Sequence, residues 1–356
     1  YFLMMIVLGF CSCQKEISQT DASRAEVDVY VAGYEDYVAK YWKNGSPVTL
    51  TDCSDATSIV VVGSDVYVTG GDGSGAKYWK NGSPVTLGDG SKRGGTSFIA
   101  VSGNDVHVAG VEYFPDGNAH AVYWKNGQPT YLPENTRPVQ PTDNYPVSSI
   151  ASTANSIFVS GSDIYIAGGE RITKEISTYP NPNHIYSISA LYWKNGNAVY
   201  LILGSYYNSK ADEAYSIFVD GQDVYACGAL SGQYWKNGNP VSLGGAANSI
   251  FVSEGDVYVA GSQPDGEPYQ TYNGTRNRTV AKYWKNGTPV SLTDGIKNAY
   301  ATSIAVSEND VYVAGYEEKT AGTQNWVAKY WKNGNPVILG DVSKESGANS
   351  IFLAKR

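Results

Sequence analysis

The chain has few residues of the kinds on which metal and redox chemistry depend. Its 356 residues include only four cysteines and three histidines. His107, His120 and His184 show no zinc-ligand spacing. Cys53 and Cys227 belong to different repeats and do not make a disulfide framework. Because phosphate-cradling loops and nucleophile elbows are also missing, the sequence predicts no metal site, no cofactor and no recognisable catalytic motif.

Charge is also scarce. Charged residues make up 17% of the chain, and the formal net charge is -8. Binding to nucleic acid requires clustered Lys and Arg that neutralise phosphates. The composition therefore argues against nucleic acid as a partner.

No apolar run is long enough to cross a bilayer, which takes about 20 residues. The run 1–10 has the length of the apolar region of a secretory signal, although no basic segment precedes it. Cys13 follows the small residue Ser12, and this resembles the lipidation motif of bacterial lipoproteins. Cys11 fits the motif less well because bulky Phe10 precedes it.

The resemblance implies a signal segment over residues 1–13, a lipid on Cys13 and a polar tether over residues 14–25. The protein would then be lipid-anchored in a bacterial cell envelope, at the outer membrane or the cell surface. Ordinary signal cleavage, which would give a secreted protein, is the alternative.

What the chain has in abundance is a repeat. The pentapeptide Tyr-Trp-Lys-Asn-Gly occurs seven times, beginning at Tyr41, Tyr78, Tyr123, Tyr192, Tyr234, Tyr283 and Tyr330. A spacing of roughly 40–50 residues indicates repeated supersecondary units. Aromatic residues at 13% and 39 glycines suit short strands joined by tight turns.

Each repeat contains four short strand-like segments. In residues 249–292, Asn286-Gly287 predicts a type I′ hairpin between the third and fourth strands. Proline cannot donate to a β-ladder and therefore indicates an edge strand. It falls in the fourth strand of six repeats, at Pro47, Pro84, Pro129, Pro240, Pro289 and Pro336.

The two ends of the body complement each other. Residues 28–33 form a second strand with no first strand before it, and residues 349–353 form a first strand with no second strand after it. Joined, they complete one blade. A linear solenoid, the rival architecture, would leave both as open edges.

The repeats over residues 26–356 thus resemble those of β-propellers, although they lack the Gly-His and Trp-Asp dipeptides of WD40 repeats and the double glycine of kelch repeats. The resemblance implies an all-β fold: a seven-bladed β-propeller of four-stranded antiparallel blades. The ring would be closed by the C-terminal strand, which joins three strands from the start of the body.

The repeated residues have structural interpretations. The tryptophan of each pentapeptide is predicted to pack between blades. The aspartate that begins each second strand is predicted to accept backbone N–H bonds: Asp28, Asp65, Asp105, Asp163, Asp223, Asp256 and Asp310. The serine that opens each first strand is predicted to satisfy loop backbone: Ser58, Ser97, Ser156, Ser216, Ser249, Ser303 and Ser350. The pentapeptide lysines would either form a ring facing anionic lipid or be solvated turn residues.

Variation is confined to the connections after the second and fourth strands, which antiparallel geometry places on one face of the disc. Variable loops on a rigid scaffold commonly carry function. The long loops are predicted at 111–121, 133–155, 169–190, 204–215, 262–280, 293–302 and 316–327.

Within these loops, the sequence favours blades three and four. An acidic residue after the second strand faces a lysine in other repeats, but Glu112 and Glu170 face Val122 and Leu191. We therefore expect these two carboxylates to lack the partner that the others have. The candidate ligand-binding residues are Glu112, Glu170, Arg171, His184, Tyr206, Tyr207, Tyr269, Tyr272 and Trp326.

Aromatic rings beside amides and carboxylates suit sugars, and Tyr, Trp and Arg suit protein interfaces equally. The sequence thus predicts a non-catalytic recognition module that binds glycan or protein through its loop face. One alternative is a polysaccharide-acting enzyme with Glu112 and Glu170 as its carboxylate pair, which requires a separation of about 5–9.5 Å. The other alternative is a structural scaffold.

Overall fold

A computed structural model describes residues 26–71, 75–115, 117–134, 147–175, 184–203, 213–228, 232–271 and 274–356. Over these ranges the protein is all-β, with thirty strands and no helix. Accordingly, none of the described residues belongs to a helix able to cross a membrane. The strands form seven four-stranded antiparallel sheets and one additional hairpin. The molecule is a seven-bladed β-propeller, as predicted.

The strands of the seven blades have the following bounds. Blade one contains β1 (Val27–Glu35), β2 (Val38–Lys43), β3 (Ser46–Thr49) and β30 (Ser346–Lys355). Blade two contains β4 (Asp55–Val62), β5 (Asp65–Gly71), β6 (Lys77–Lys80) and β7 (Ser83–Thr86). Blade three contains β8 (Gly94–Ser102), β9 (Asp105–Tyr113), β10 (Ala119–Lys125) and β11 (Gln128–Tyr131). Blade four contains β12 (Val147–Ser160), β13 (Asp163–Glu175), β14 (His184–Lys194) and β15 (Asn197–Ile202).

Blade five contains β16 (Ser216–Asp220), β17 (Asp223–Gly228), β18 (Gln233–Lys236) and β19 (Asn239–Ser242). Blade six contains β20 (Ala246–Ser253), β21 (Asp256–Gln263), β24 (Val280–Lys285) and β25 (Thr288–Ser291). Blade seven contains β26 (Ala299–Ser307), β27 (Asp310–Glu318), β28 (Trp326–Lys332) and β29 (Asn335–Ile338). The additional hairpin is β22 (Pro268–Thr271) with β23 (Gly274–Asn277), between the second and third strands of blade six.

Blade one is built from both ends of the described chain. Strand β30 pairs antiparallel with β1 from Val27↔Lys355 to Glu35↔Ser346. The sheet order is β3-β2-β1-β30, so β30 takes the innermost place that β4, β8, β12, β16, β20 and β26 hold in the other blades. The proline-containing strand is outermost in each of the six blades that have it.

The core lies between neighbouring blades. All seven pentapeptide tryptophans are at most 1% exposed. Trp331 of blade seven, for example, packs in one cluster with Tyr258 and Ala260 of blade six. Each large ring removes roughly 150–250 Å² of surface from water, which makes these tryptophans major contributors to blade packing. Their predicted role in the core is confirmed, and Cys227 is also fully buried.

The Asn-Gly turns form a repeated polar lattice on the tight-turn face. The turn asparagines have φ of 48–51° and the following glycines 80–84°, as a type I′ turn requires. In blade six, Asn286 Oδ1 accepts the Val257 N–H, and Asn286 Nδ2 donates to Asp256 Oδ1, both at 2.8 Å. Lys285 Nζ lies 2.7 Å from Asp256 Oδ2. The same three contacts recur in all seven blades.

This lattice corrects two predictions. The strand-opening aspartates accept hydrogen bonds from the asparagine amide nitrogen and pair with the lysine. The N–H of the residue after each aspartate donates to the asparagine Oδ1. The pentapeptide lysines are neither a free cationic ring nor simply solvated, because each is paired with an aspartate within 2.7–3.2 Å. A lysine ring directed at anionic lipid therefore has no support.

We predict that Asn286→Ala lowers the free energy of unfolding by about 1 kcal/mol, because alanine tolerates positive φ poorly and cannot cap Val257. Lys285→Ala removes an exposed ion pair and the contact of Lys285 Nζ with the Tyr258 ring, so it should lower stability less than Asn286→Ala does. Denaturant unfolding of both variants measures the difference. Equal destabilisation by the two would contradict a lattice that depends on asparagine.

Candidate functional site

The loop face contains more strand than the sequence predicted. Residues 133–155 and 169–190 were expected to be loops, but β12 begins at Val147, β13 continues to Glu175 and β14 starts again at His184. Apolar residues alternate there with Ser, Lys and Thr, as at Ile172 and Ile188. The extended strands of blade four therefore form a raised sheet on this face. Loop 262–280 likewise contains the β22–β23 hairpin.

Glu112 does not lack a partner. The hydroxyl of Tyr131 donates to its carboxylate, and Lys92 Nζ lies 3.3 Å from it. The lysine comes from the connection between blades two and three, not from the facing strand. Glu35 is held similarly, by Lys40 and by the Asp341 N–H from the connection that precedes β30. Glu112 and Glu35 therefore share a structural role in fixing an inter-blade connection.

Glu170 is likewise buried and partnered. It is 1% exposed, and Tyr200 of the same blade donates to it at 3.3 Å. The reasoning that singled out Glu112 and Glu170 as unpartnered carboxylates was therefore wrong. In blades one and seven the acidic residue after the second strand does pair with the facing lysine, as Glu35–Lys40 and Glu317–Lys329, and both pairs are largely buried.

The remaining predicted residues on blade four are only partly described. Arg171 is exposed and stacks over the ring of Tyr186 at 4.4 Å. His184 begins β14 opposite Glu175, and its side chain lies outside the described part. Tyr206, Tyr207 and Tyr272 lie outside the described residues, as does Cys13. The roles proposed for them stay predictions.

Two other predicted residues do come together, between blades six and seven. A groove of about 600 Å³ is lined by Tyr269 of the β22–β23 hairpin and by Tyr300 and Trp326 of blade seven. Polar side chains complete its wall: Thr275, Arg276, Asn277, Thr279, Asn298, Glu318 and Gln324. Tyr269 and Trp326 were both predicted from the sequence as ligand-binding residues. Their proximity was not predictable, because it depends on how blade six packs on blade seven.

The aromatic wall of the groove is a mutually packed cluster. The rings of Tyr300, Tyr316 and Trp326 lie 5.2–5.6 Å apart between centroids. All three are half-buried, so each presents part of its ring to solvent. Tyr269 stacks against the Arg278 guanidinium at 4.8 Å across the groove. These contacts hold the rings in place before any ligand arrives.

Glu318 at the base of the groove acts as a structural anchor. Burial works to raise its pKa, but the backbone N–H groups of Gly322, Asn298 and Gln324 donate to it and keep the pKa below its usual value. Because its oxygens are occupied by these amides, Glu318 fixes the turn that carries Gln324 and leads into Trp326.

A polar ring adjoins the groove at the mouth of the central channel, and we call it the mouth ring. Its members stand just before the channel-lining residues of the innermost strands: Thr57, Ser97, Asn155, Tyr215, Asn248, Thr302 and Asn349. Six of them are β-bulge residues. Tyr316 of the aromatic cluster lines the same mouth, so the ring and the cluster are in contact.

The mouth ring also joins neighbouring blades at five of the seven junctions. Thr57 donates to Thr96 O, Asn155 to Ala214 O and Asn248 to Ala301 O. Thr302 donates to Ala348 O, and Asn349 to Ala56 O. Ser97 was predicted to match Ser58, but it occupies the bulge, and Phe98 takes the serine position. The reason is that Ser97 stands eight residues before Asp105, one more than in the other repeats.

Two carboxylates that sequence analysis missed stand beside this ring. Asn349 Nδ2 donates to Asp55 Oδ1 at 2.6 Å, and Asn155 Nδ2 donates to Glu213 Oε2 at 3.2 Å. Asp55 and Glu213 hold equivalent positions in blades two and five. The only sequence signal was that both stand three residues before a repeat serine, where other repeats have no acid.

Burial raises the pKa of Asp55 to about 6, even though Asn349 and the Ala56 N–H donate to it. Burial also raises the pKa of Tyr34 to about 12, with added repulsion from Glu345 and Asp55. Perturbed groups collected at a cleft are typical of functional sites. Among the described residues, no three His, Cys, Asp or Glu side chains form a metal-ligand group.

Comparisons with known proteins identify no family for this chain. No protein family and no curated protein matches the chain. The computationally designed Ika8 protein is 16% identical, with 94% of this chain and 98% of that one covered and a TM-score of 0.41. Apo AztD from Citrobacter koseri is 11% identical, with 92% and 98% covered and a TM-score of 0.43. Trypanosoma rangeli sialidase is 9% identical, with 93% and 55% covered and a TM-score of 0.40. At these values the likenesses carry no argument about function.

We predict that Asp55→Asn stabilises the protein at neutral pH. The pKa of Asp55 is about 6 in the folded protein, against 3.8 for an unperturbed aspartate. Between pH 4 and 6 the folded state therefore binds more protons than the unfolded state, and stability falls as pH rises through that window. At pH 7 the charged carboxylate costs up to about 3 kcal/mol, which the substitution should recover. Urea unfolding from pH 4 to 8 measures this.

Asp65→Asn provides the control on the opposite face. Lys80 and Asn81 hold the pKa of Asp65 below its usual value, so this substitution should have a small effect of the opposite sign. An unchanged pH dependence in Asp55→Asn would contradict the assignment of Asp55 as the buried carboxyl.

Proposed function

We propose that the protein is a non-catalytic recognition module that binds a glycan in the groove between blades six and seven. The observation that carries this proposal is the pair Tyr300 and Trp326, which line a groove with mainly polar side chains and are held by packing against each other and against Tyr316. Sugar rings present apolar C–H faces and polar hydroxyl edges, and this groove offers complementary surfaces for both.

The chemistry of the wall supports a neutral or weakly charged glycan. Asn277, Asn298 and Gln324 supply amide donors and acceptors, and Arg276 adds a planar donor. Glu318 is already occupied by backbone amides and is unavailable as a free acceptor. Amides beside exposed ring faces suit hydroxyl groups better than they suit phosphate or an acidic surface.

The shape favours a glycan over a protein partner. The groove is concave and holds about 600 Å³, within the range of small-ligand sites. Tyr316, which packs against Tyr300 and Trp326, lines the neighbouring channel mouth, so a second polar surface lies close to the groove. A protein interface would instead need a broader exposed surface with a buried centre.

We predict that the full chain gives a signal on a glycan array and that Trp326→Ala weakens it by at least tenfold, since a stacked aromatic contributes about 1–3 kcal/mol. Tyr186→Ala is the matched control, because Tyr186 is a 50% exposed aromatic on blade four of the same face. Loss of signal in Tyr186→Ala alone would move the site to blade four. The absence of any glycan signal would contradict the proposal.

The second candidate is a polysaccharide-acting enzyme. Glu112 and Glu170 are held by protein partners, but the buried carboxyl of Asp55, whose pKa is raised to about 6 and which accepts from Asn349 of the mouth ring, would suit a general acid. A reducing-end assay on the sugars that bind tests this: hydrolysis lost in Asp55→Asn supports an enzyme, and binding without hydrolysis in the unaltered chain rejects it.

We further propose that the protein is held at a bacterial cell envelope by a lipid on Cys13. The support is the sequence Ser12-Cys13 after an apolar run and the polar segment that follows. Radiolabelled palmitate should enter the full chain but not Cys13→Ala, with Cys11→Ala as control. Labelling that persists in Cys13→Ala, or a label-free secreted product, would refute the anchor.

A further inference from the structure

The central channel of the propeller is apolar. All seven innermost strands line it, and it encloses about 370 Å³. Its wall is made of Ile, Val, Phe and Ala side chains, with a few serines toward the mouth ring. At about 30 Å³ per molecule, the space would hold roughly a dozen waters, but an apolar wall gives water few hydrogen-bond partners.

The wall is asymmetric in a way that keeps the channel open. Phe158, Phe218 and Phe251 of blades four to six form one side, with ring centroids 4.8 and 4.9 Å apart. The equivalent residue of blade one is Phe352, whereas those of blades seven, two and three are the smaller Ala305, Val60 and Ala100. Phenylalanine at every blade would narrow the channel further, so the three smaller residues account for the open space.

The repeat serines reduce the polarity of this wall. Ser216 Oγ accepts the Ile250 N–H of the next blade at 3.2 Å, and Ser303 Oγ accepts the Ile351 N–H at 3.2 Å. Three more serine contacts of 3.3–3.4 Å repeat the pattern. Backbone donors on the innermost strands are thereby satisfied within the protein and need no channel water.

The channel leads directly to the mouth ring. Asn248 belongs to the ring, Ser249 lines the top of the channel, and Phe251 lines its middle. Hydroxyl and amide groups thus lie immediately above an apolar tube. No Lys or Arg is among the described residues that line the mouth, and Asp55 stands beside it. An anionic headgroup would be disfavoured there.

We propose that the channel binds the alkyl chain of a single-chain amphiphile whose uncharged, hydroxyl-rich headgroup lies on the mouth ring. The phenylalanines, with the three smaller residues between them, define a tube for one unbranched chain. Because the amide nitrogens of Asn155, Asn248 and Asn349 already donate within the protein, their amide oxygens would accept hydrogen bonds from the headgroup hydroxyls. This site goes beyond the proposed glycan groove and does not depend on it.

A homologous series of alkyl maltosides, from hexyl to dodecyl and below their micelle concentrations, tests the proposal by calorimetry on the full chain. Each added methylene should tighten binding about fourfold until the channel is full, after which affinity should level off. Binding that is independent of chain length, or equal to that of maltose alone, would overturn the channel site while leaving the glycan groove intact. No binding by any member would also overturn the site.

Ala100→Phe gives blade three the residue that four other blades have at this position, and it should weaken dodecyl maltoside binding at least tenfold. Val48→Phe, on the exposed outer strand β3, is the matched control and should have no effect. If Ala100→Phe does not fold, Phe251→Ala serves instead, because it widens the channel and should move the levelling-off to longer chains. Unchanged affinities in whichever variant folds would contradict the site.

Laurate tests the headgroup. It should bind more weakly than dodecyl maltoside because its carboxylate would lie near Asp55 at neutral pH. Equal or tighter binding of laurate would reject the uncharged headgroup.

Discussion

The pairing of β30 with β1 is the interaction on which the rest of the structure depends. It supplies blade one with its innermost strand and places the two ends of the described chain in one sheet. From β30, Asn349 reaches across to Asp55 and Ala56 of blade two, while Thr302 of blade seven reaches back to Ala348. The contacts between blades therefore continue through the blade that the two chain ends share. A propeller open at this point would leave strand edges unpaired on both sides.

This constraint explains why the two faces of the disc differ. On the tight-turn face, seven copies of one Asp–Lys–Asn lattice fix the hairpins and leave little room for variation. On the loop face, the connections only have to return the chain to the next innermost strand, so they vary in length and content. The aromatic groove, the mouth ring and the raised sheet of blade four are all on that face. A rigid ring with one variable face suits recognition, because the binding side chains are held before a ligand arrives.

The sequence was sufficient for the architecture because the repeat encodes local chemistry. Asn-Gly fixes each outer hairpin, proline marks the edge strand, and tryptophan indicates the face that packs on a neighbour. It was insufficient for contacts that cross between blades. Lys92 reaches Glu112 from the connection between blades two and three, and nothing local to Glu112 indicates this contact. The displacement of Ser97 did have a local signal, its eight-residue spacing to Asp105.

The candidate site was predictable only in part for the same reason. Trp326 was conspicuous as the one tryptophan outside the pentapeptides, and Tyr269 as an aromatic in a long loop. Their shared groove arises from the packing of blade six on blade seven. Asp55 gave no strong signal, because its raised pKa results from burial next to a residue almost 300 positions away in the chain. Burial and long-range contacts decide its chemistry, and neither can be read from spacing.

Native-state hydrogen exchange of β30 tests the central claim most directly. If β30 closes the ring, the amides of Ser350 and Phe352, which face Ala32 and Tyr30 of β1, should exchange only through global unfolding, with the same protection as those of Ser216 and Phe218 in β16. If these amides exchange through local opening while β16 stays protected, the C-terminal strand is not part of the cooperative ring, and the account of the fold is wrong.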